Sequence, residues 1–291
     1  MRVVALMTVR NEELYLERCI QHLVNQGVEV CLIDNGSTDK TRDIASAYLG
    51  RGVMRLEEIP FNGKFELEKI LQNEERLAYE IDADWFMHHD ADEIREAPTE
   101  YRGLLDGIAD ADRHGYNAIN FDEFVFLPTG EDEDHRFSDY VSTMKYYYFF
   151  EAAPLRRLNL WKNMGQTIDL TSSGGHHVKF QDRNIFPKPF IMRHYVFLSR
   201  AHADRKYSTR QFSDNELAKG WHRAREKYSK KAPRLPDKTE MKSVTDGLWD
   251  KSDAKYWNLF FTPKPTPAER AKFCLYRLWR TFGMSRLTAS L

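Results

Sequence analysis

The strongest constraint on this chain is an alternation that fills roughly its first hundred residues. Short apolar runs of strand length, Val3 to Val9, Val28 to Ile33, Val53 to Ile59 and Trp85 to His88, are separated by longer segments with apolar residues at helical spacing. Leu16, Cys19, Ile20 and Leu23 line the first helical segment, which Gly27 ends. Thr41, Ile44, Ala45 and Tyr48 line the second, and Phe65 to about Ile81 makes the third. Apolar runs that hardly alternate belong to strands buried on both faces, and the helices between them cross over those faces. The pattern therefore predicts an α/β fold with a mostly parallel sheet flanked by helices. Asn11, followed by Glu12 and Glu13, reads as the N-cap and first-turn charge of the first helix, and Thr38 or Asp39 as the opening of the second.

Charge and composition narrow the function classes. With 43 Lys+Arg against 44 Asp+Glu over 291 residues, the chain is no polybasic nucleic-acid coat, and no nucleic-acid partner is expected. A hydrophobic content of 42% is enough to offset the entropy of ordering a sizeable core. Three cysteines, Cys19, Cys31 and Cys274, are too few for a disulfide framework and fit a reducing compartment. The segment from Met1 to Glu13 turns polar too early for a secretory leader, and no window approaches the roughly 18 apolar residues of a membrane span. A cytoplasmic location is expected. Beyond Pro98 the pattern is mixed: Tyr116 to Phe126 reads as a long strand, Tyr146 to Phe150 as an aromatic-rich one, and Phe190 to Leu198 as another apolar run. From Ser199 the chain is charged and helical, so two parts are expected, 1–198 as the α/β domain and 199–291 as a helical extension.

Two polar strings follow strands directly. Val28 to Ile33 runs into Asp34-Asn35-Gly36-Ser37-Thr38-Asp39, and Trp85 to His88 leads to Asp90-Ala91-Asp92. In a parallel sheet both lie at carboxyl ends of strands, where open α/β folds place their ligands. In an extended segment residues i and i+2 share a side, so Asp90 and Asp92 present two carboxylates together, hard oxygen ligands suited to Mn²⁺ or Mg²⁺. A dinucleotide site would need Gly-x-Gly-x-x-Gly after the first strand, where Thr8 to Glu13 stands instead. A phosphate-binding P-loop and the zinc and serine-hydrolase strings are also absent.

Taken in order, Met7-Thr8-Val9-Arg10-Asn11-Glu12, Asn25-Gln26-Gly27, Leu32 to Thr41 and Asp90-Ala91-Asp92 resemble the family 2 glycosyltransferases of the GT-A (Rossmann-like) fold, over roughly the first 95 residues. His194 to Ser199, a His-Tyr-x-x-x-Ser run, looks like a variant branch of these enzymes. The resemblance implies that Thr8 and Arg10, with Asn11 and Glu12 beside them, line the nucleotide, and that Asp34 accepts a hydrogen bond from the base. It implies Asp90 near the ribose or the metal, and Asp92 on the ion that bridges the two phosphates. His194 would be a protein ligand of the same ion, with His176 or His177 as competitors, and Lys64 a further base or phosphate contact.

The implied activity is metal-dependent transfer of a sugar from a nucleotide-diphosphate donor, a UDP-sugar by preference, to a carbohydrate or lipid-linked glycan acceptor in polysaccharide or glycoconjugate synthesis. Asp122 and Glu123 interrupt an apolar strand, where an acid is costly without a partner, and are the candidate catalytic bases. The family's Glu-Asp pair and Gln-x-x-Arg-Trp string have no counterpart after Asp92, so the stereochemical outcome stays open. Two other readings stand beside it: a non-catalytic member that binds glycans or a partner, and a nucleotidyltransferase, whose Gly-rich basic loop is missing here. Finally, Ala268 to Leu287 combines Phe273, Tyr276, Trp279 and Phe282 with five basic residues against Glu269. It reads either as a helix on an anionic membrane surface at the cytoplasmic face or as one packed on the catalytic domain.

Overall fold

The computed structural model describes residues 1–260 apart from 132, 152–154, 209, 220, 223–233, 246 and 247. Cys274 and the expected helix at 268–287 lie outside the described residues. The first part runs β1 (Val3–Val9), α1 (Leu16–Asn25), β2 (Glu29–Asp34), α2 (Thr41–Ala47), β3 (Val53–Glu58), α3 (Leu67–Glu80) and β4 (Trp85–His88). The second part runs β5 (Glu93–Glu96), α4 (Leu104–Arg113), β6 (Ala118–Phe126), α5 (Tyr140–Thr143), β7 (Tyr146–Phe150), β8 (Leu158–Lys162), β9 (Phe190–Tyr195), α6 (Arg200–Ser208), α7 (Asp214–Ala218) and β10 (Lys242–Ser243).

The strands form one mixed sheet in the order β10-β7-β6-β8-β4-β1-β2-β3, with β9 pairing β6 and β5 pairing β9. Strands β3, β2, β1 and β4 are parallel, as the alternation predicts, with Val9 opposite Asp34 and Leu6 opposite His88. Strand β8 runs antiparallel to both β4 and β6, so β6 points the same way as β4, and β9 runs parallel to β6. The carboxyl ends of β1, β2, β4, β6 and β9 thus share one edge of the sheet.

Both faces of β1 are buried, for a reason visible residue by residue. Val3, Ala5, Met7 and Val9 pack with Leu16, Cys19, Ile20 and Leu23 of α1, while Val4 and Leu6 pack on the other side with Leu71, Leu77 and Ala78 of α3. Alternate side chains of a strand point to opposite faces, and here each face meets its own helix. Trp161 and the aromatics of β7 are core residues, with Trp161 only 1% exposed against Phe86.

Two sequence expectations change. Asn11 does not cap α1, which starts later, at Leu16. Asn11 adopts a left-handed φ of 55° and its Oδ1 accepts the Thr38 N–H at 2.7 Å, clipping the loop after β1 to the loop after β2. Asp39 does serve α2, accepting the Thr41 N–H at 2.9 Å. The expected boundary after residue 198 falls inside a shared apolar cluster, in which Val125, Tyr148 and Phe150 pack with Phe197, Ala203, Tyr207 and Phe260. The described part of 199–291 shares this cluster with β6 and β7 instead of standing apart. Among the described residues no helix is long and apolar enough to cross a membrane.

Gly52, in the turn before β3, has a φ of +116°, and a Cβ there would stand 2.1 Å from Val24 Cγ2 of α1. Gly52→Ala is expected to lose about 1–3 kcal/mol from backbone strain and overpacking. Urea unfolding checks it: an unchanged midpoint would mean that the turn and α1 separate without cost.

Candidate functional site

A cavity of about 910 Å³ opens along the shared carboxyl edge. Its floor comes from β1 and β4. Thr8, near the end of β1, donates its hydroxyl to Glu74 Oε1 at 2.8 Å, and the other Glu74 oxygen meets His88 Nδ1 at 2.5 Å. Burial works against a charge on His88, yet Glu74 outweighs it and raises the imidazole above its ordinary value. Gly175 allows the turn after Thr171–Ser173 to close over this pair, because a Cβ there would stand 2.8 Å from His88 Nε2.

At one end, Arg10 lies 3.4 Å over the Phe61 ring and donates to the carbonyls of Asn35, at 3.0 Å, and Gly36. Asp34 is 2% exposed and its carboxylate accepts the Ser37 N–H at 3.2 and 3.3 Å. That tight turn holds the loop, and Asn35 rather than Asp34 lines the cavity.

At the other end a chain of alternating charges crosses five elements. Asp92 Oδ2 accepts from Lys206 Nζ of α6 at 2.7 Å and faces His194 Nε2 of β9 at 3.6 Å. His194 Nδ1 meets Glu123 Oε1 of β6 at 2.8 Å. Glu123 takes two bonds of 2.7 Å from Arg157, at the start of β8, whose third nitrogen lies 3.8 Å from Glu93 of β5. Glu93 in turn binds Arg95, which donates to Asn159 at 2.8 Å. Burial would raise the carboxyls, but Lys206 and His194 hold Asp92 well below its ordinary value, and Arg157 and His194 do the same for Glu123. Burial alone would lower His194; Asp92 and Glu123 instead push it up to about 9.

Two acids in the cavity are left differently. No described residue hydrogen-bonds the carboxylates of Asp90 or Glu12. Burial and then Glu93 raise Asp90, while burial lifts Glu12 to about 7 against the pull of Lys206.

The structure thus brings Thr8, Arg10, Asn11, Glu12, Asp90, Asp92, Glu123 and His194 to one cavity. Three expectations need correction. Asp122 points to the opposite face from Glu123, as alternation along β6 requires, and is bonded to Lys251 outside the cavity. Glu123 reaches the cavity but is a buried, doubly bonded anion of lowered basicity, which suits holding His194 and not receiving a proton from an acceptor. Lys64 pairs with Asp214 at 2.6 Å, mostly in solvent, and helps tie the segment around Arg210 to Trp221 against the start of α3. Among the histidines, His194 meets Asp92; His176 lines the cavity with Nδ1 turned to the Ser173 carbonyl at 3.0 Å.

Sequence reasoning missed Glu74, His88, Arg157 and Lys206. Glu74 had a local signal, since it interrupts the apolar face made by Ile70, Leu71, Leu77 and Ala78. Lys206 had none, because a lysine in a charged helix looks solvated.

The sheet order β3-β2-β1-β4, the antiparallel β8 beside it and the acidic string after β4 can now be set against known proteins. Residues 4–63 match glycosyl transferase family 2. The match spans β1 to β3 and supports a family 2-like GT-A fold over that part of the chain. Among solved structures, S. aureus TarS 1-349 is 14% identical with a TM-score of 0.41, covering 72% of this chain and 63% of that one. Glucosyl-3-phosphoglycerate synthase from Mycobacterium tuberculosis, in complex with Mn²⁺, UDP and phosphoglyceric acid, is 21% identical with a TM-score of 0.29, covering 43% of each chain. This chain thus spans under two thirds of either structure. No curated protein gives a significant match.

Two outcomes follow from the charge chain. Arg157→Met leaves Glu123 buried with only part of its compensation and is expected to lose about 3–5 kcal/mol in urea unfolding; a loss under about 1 kcal/mol would show the pair to be dispensable. In metal-free protein, His194 titrates at about 9 against an ordinary 6.5, so its charge stabilises the fold fully below pH 6.5 and this contribution disappears as pH rises through about 9. The gap in urea midpoint between wild type and His194→Gln should therefore be widest at low pH and close on the alkaline side; a gap constant from pH 6 to 10 would contradict it.

Proposed function

We propose that the chain is a metal-dependent glycosyltransferase that moves one sugar from a nucleotide-diphosphate donor, a UDP-sugar, to a carbohydrate or lipid-linked glycan acceptor. The observation that carries this reading is the pairing of His194 Nε2 with Asp92 at 3.6 Å while its Nδ1 is held by Glu123 at 2.8 Å. A single ion with bonds of about 2.1 Å can bridge a separation of that size. A metal-binding histidine ordinarily has its second nitrogen oriented by a carboxylate in this way. The oxygen donors fit too, since Asp90 adds a carboxylate that no described residue bonds and that Glu93 and Asp92 crowd. Among the described residues no group of three or more such side chains forms a ready-made cage, so donor phosphates and water would complete the coordination.

Asp90, Asp92 and His194 would hold Mn²⁺ or Mg²⁺, which when bound supplies positive charge to the diphosphate leaving group. The chain's own groups do the rest. Arg10 and Phe61 offer a flat cationic and aromatic surface for the base, with Asn11 fixing the loop between them and the acids. His88, held by Glu74 and enclosed by Gly175, makes a polar floor below Thr8. In transfer, the acceptor hydroxyl oxygen bonds to the anomeric carbon as the bond from that carbon to the diphosphate oxygen breaks, and the hydroxyl proton passes to the departing diphosphate or to water. Polysaccharide or glycoconjugate synthesis at the cytoplasmic face of a membrane is the proposed setting, with 268–287 as the segment that meets anionic lipid.

Calorimetric titration with UDP and Mn²⁺ tests the reading. Wild type is expected to bind UDP at least about tenfold tighter with Mn²⁺ than without, and Asp92→Asn to lose that difference. UDP binding indifferent to Mn²⁺ would remove the metal from the mechanism, and a folded protein that binds no nucleoside diphosphate would remove the transferase reading altogether.

A further inference from the structure

Among the cations that line the cavity, Lys206 is bonded directly to an acid of the proposed metal site, and the transferase reading leaves it without a task. Lys206, in the last turn of α6, sends its side chain inward until it is only 11% exposed. Its Nζ lies 2.7 Å from Asp92 Oδ2, 3.1 Å from the Val196 carbonyl and 5.3 Å from the centre of the Tyr15 ring. An ammonium has three N–H donors, and two are used. After Asp92, the acid that acts most on its charge is Glu12, whose carboxylate no described residue hydrogen-bonds.

A buried ammonium costs several kcal/mol in lost hydration, so its position needs a compensating gain. The gain is visible in the acids around it. Glu12, Asp90 and Asp92 share this end of the cavity, and Lys206 is the cation bonded to one of them. Lys206 and His194 both stand on Asp92 Oδ2, and neither bonds the carboxylate of Asp90 or Glu12. Lys206 therefore occupies the same Asp92 oxygen that an arriving divalent ion would seek.

We propose that Lys206 is a catalytic residue with two positions: it holds Asp92 in the empty site and passes to the diphosphate oxygens when ion and donor bind. The inference rests on the proposed donor and metal reading. A divalent ion on Asp92 repels an ammonium a few ångströms away even in water-like surroundings. The lysine stem has four flexible carbons, so Nζ can move several ångströms while α6 stays packed through Ala203 and Tyr207. The anion that arrives with the ion, a nucleoside diphosphate, is the new partner. No bond is made or broken by Lys206; as the diphosphate leaves, its ammonium offsets charge on the departing oxygen.

A purely structural Asp92–Lys206 ion pair predicts only lost stability on mutation, whereas a displaced cation predicts tighter metal binding. The test titrates the full chain with Mn²⁺, following free ion by electron paramagnetic resonance, with and without UDP. For Lys206→Met, Mn²⁺ affinity without nucleotide should rise by at least about tenfold, because the competing charge is gone. UDP affinity in saturating Mn²⁺ should fall, and hydrolysis of the donor sugar should lose about 10²-fold in kcat with a smaller change in KM. Lys206→Arg, which keeps the charge, should keep Mn²⁺ affinity near wild type; it and Lys206→Gln carry the test should the Met variant fail to fold. Mn²⁺ affinity that is unchanged or weaker in the neutral variants overturns the role of Lys206 while wild-type binding of Mn²⁺ and UDP leaves the transferase reading intact. Absence of both bindings in wild type overturns the two together.

Discussion

The second half of the sheet depends on a carboxylate buried in the middle of β6. Glu123, 3% exposed, sits where an apolar strand would ordinarily carry an aliphatic residue. Its bonds to Arg157 and His194 couple β6 to β8 and β9, and through Glu93 to β5. Removing one member of such a chain leaves a charge without its partner in a low-dielectric interior, so the arrangement stands or falls as a set. Because β6 is parallel to β9 with Val125 opposite His194, the charge chain also fixes where the imidazole reaches the cavity.

The parallel half rests on simpler physics. Strand β1 is apolar on both faces and meets α1 on one and α3 on the other, so the register that buries it also puts Thr8, Arg10 and Asn11 at the sheet edge. The polar strings sit there because a chain leaving a buried strand must turn, and Asp34, Asn35 and Asn11 are residues whose side chains complete such turns. Turn chemistry and ligand chemistry are carried by the same few residues, which is why Asp34 serves its own loop while its neighbour faces the cavity.

That overlap explains what could be read beforehand. The first four strands and three helices were legible because their periods differ and each apolar face is continuous. Asp90 and Asp92 were read as an extended pair, but Ala91 and Asp92 form a turn closed by the Glu93 N–H on the Asp90 carbonyl, and His194, read from the family resemblance, stands opposite Glu93 in the β5–β9 register. Asn11 misled because Asn before two glutamates has the composition of a helix cap, and only the Thr38 bond shows the other use of the same group. Asp122 and Glu123 are adjacent and chemically alike, and the partner that decides between them, Arg157, is 34 positions away. Lys64 was placed by its nearness to β3, yet its partner, Asp214, is 150 positions away. Long-range partners leave no trace in local pattern.

The two walls of the cavity are held by forces of different size, and this separates their roles. The floor around Thr8, Glu74 and His88 and the end around Glu123 are built from buried, charge-assisted hydrogen bonds at 2.5–2.8 Å, which tolerate little displacement. The wall carrying Arg210 and Trp221 is attached through Lys64–Asp214 and Lys219–Glu68, pairs with substantial exposure, each worth about 0–1 kcal/mol. Its firmer points are the Phe65 N–H bond to the Gln211 carbonyl at 2.7 Å and Glu216, which accepts the Glu68 N–H at 2.7 Å and faces His222 at 3.0 Å. The buried charge pairs thus stand on the firmly held side, where small displacements are costly, while Arg210 and Trp221 stand on a side held in part by exposed pairs that cost little to separate.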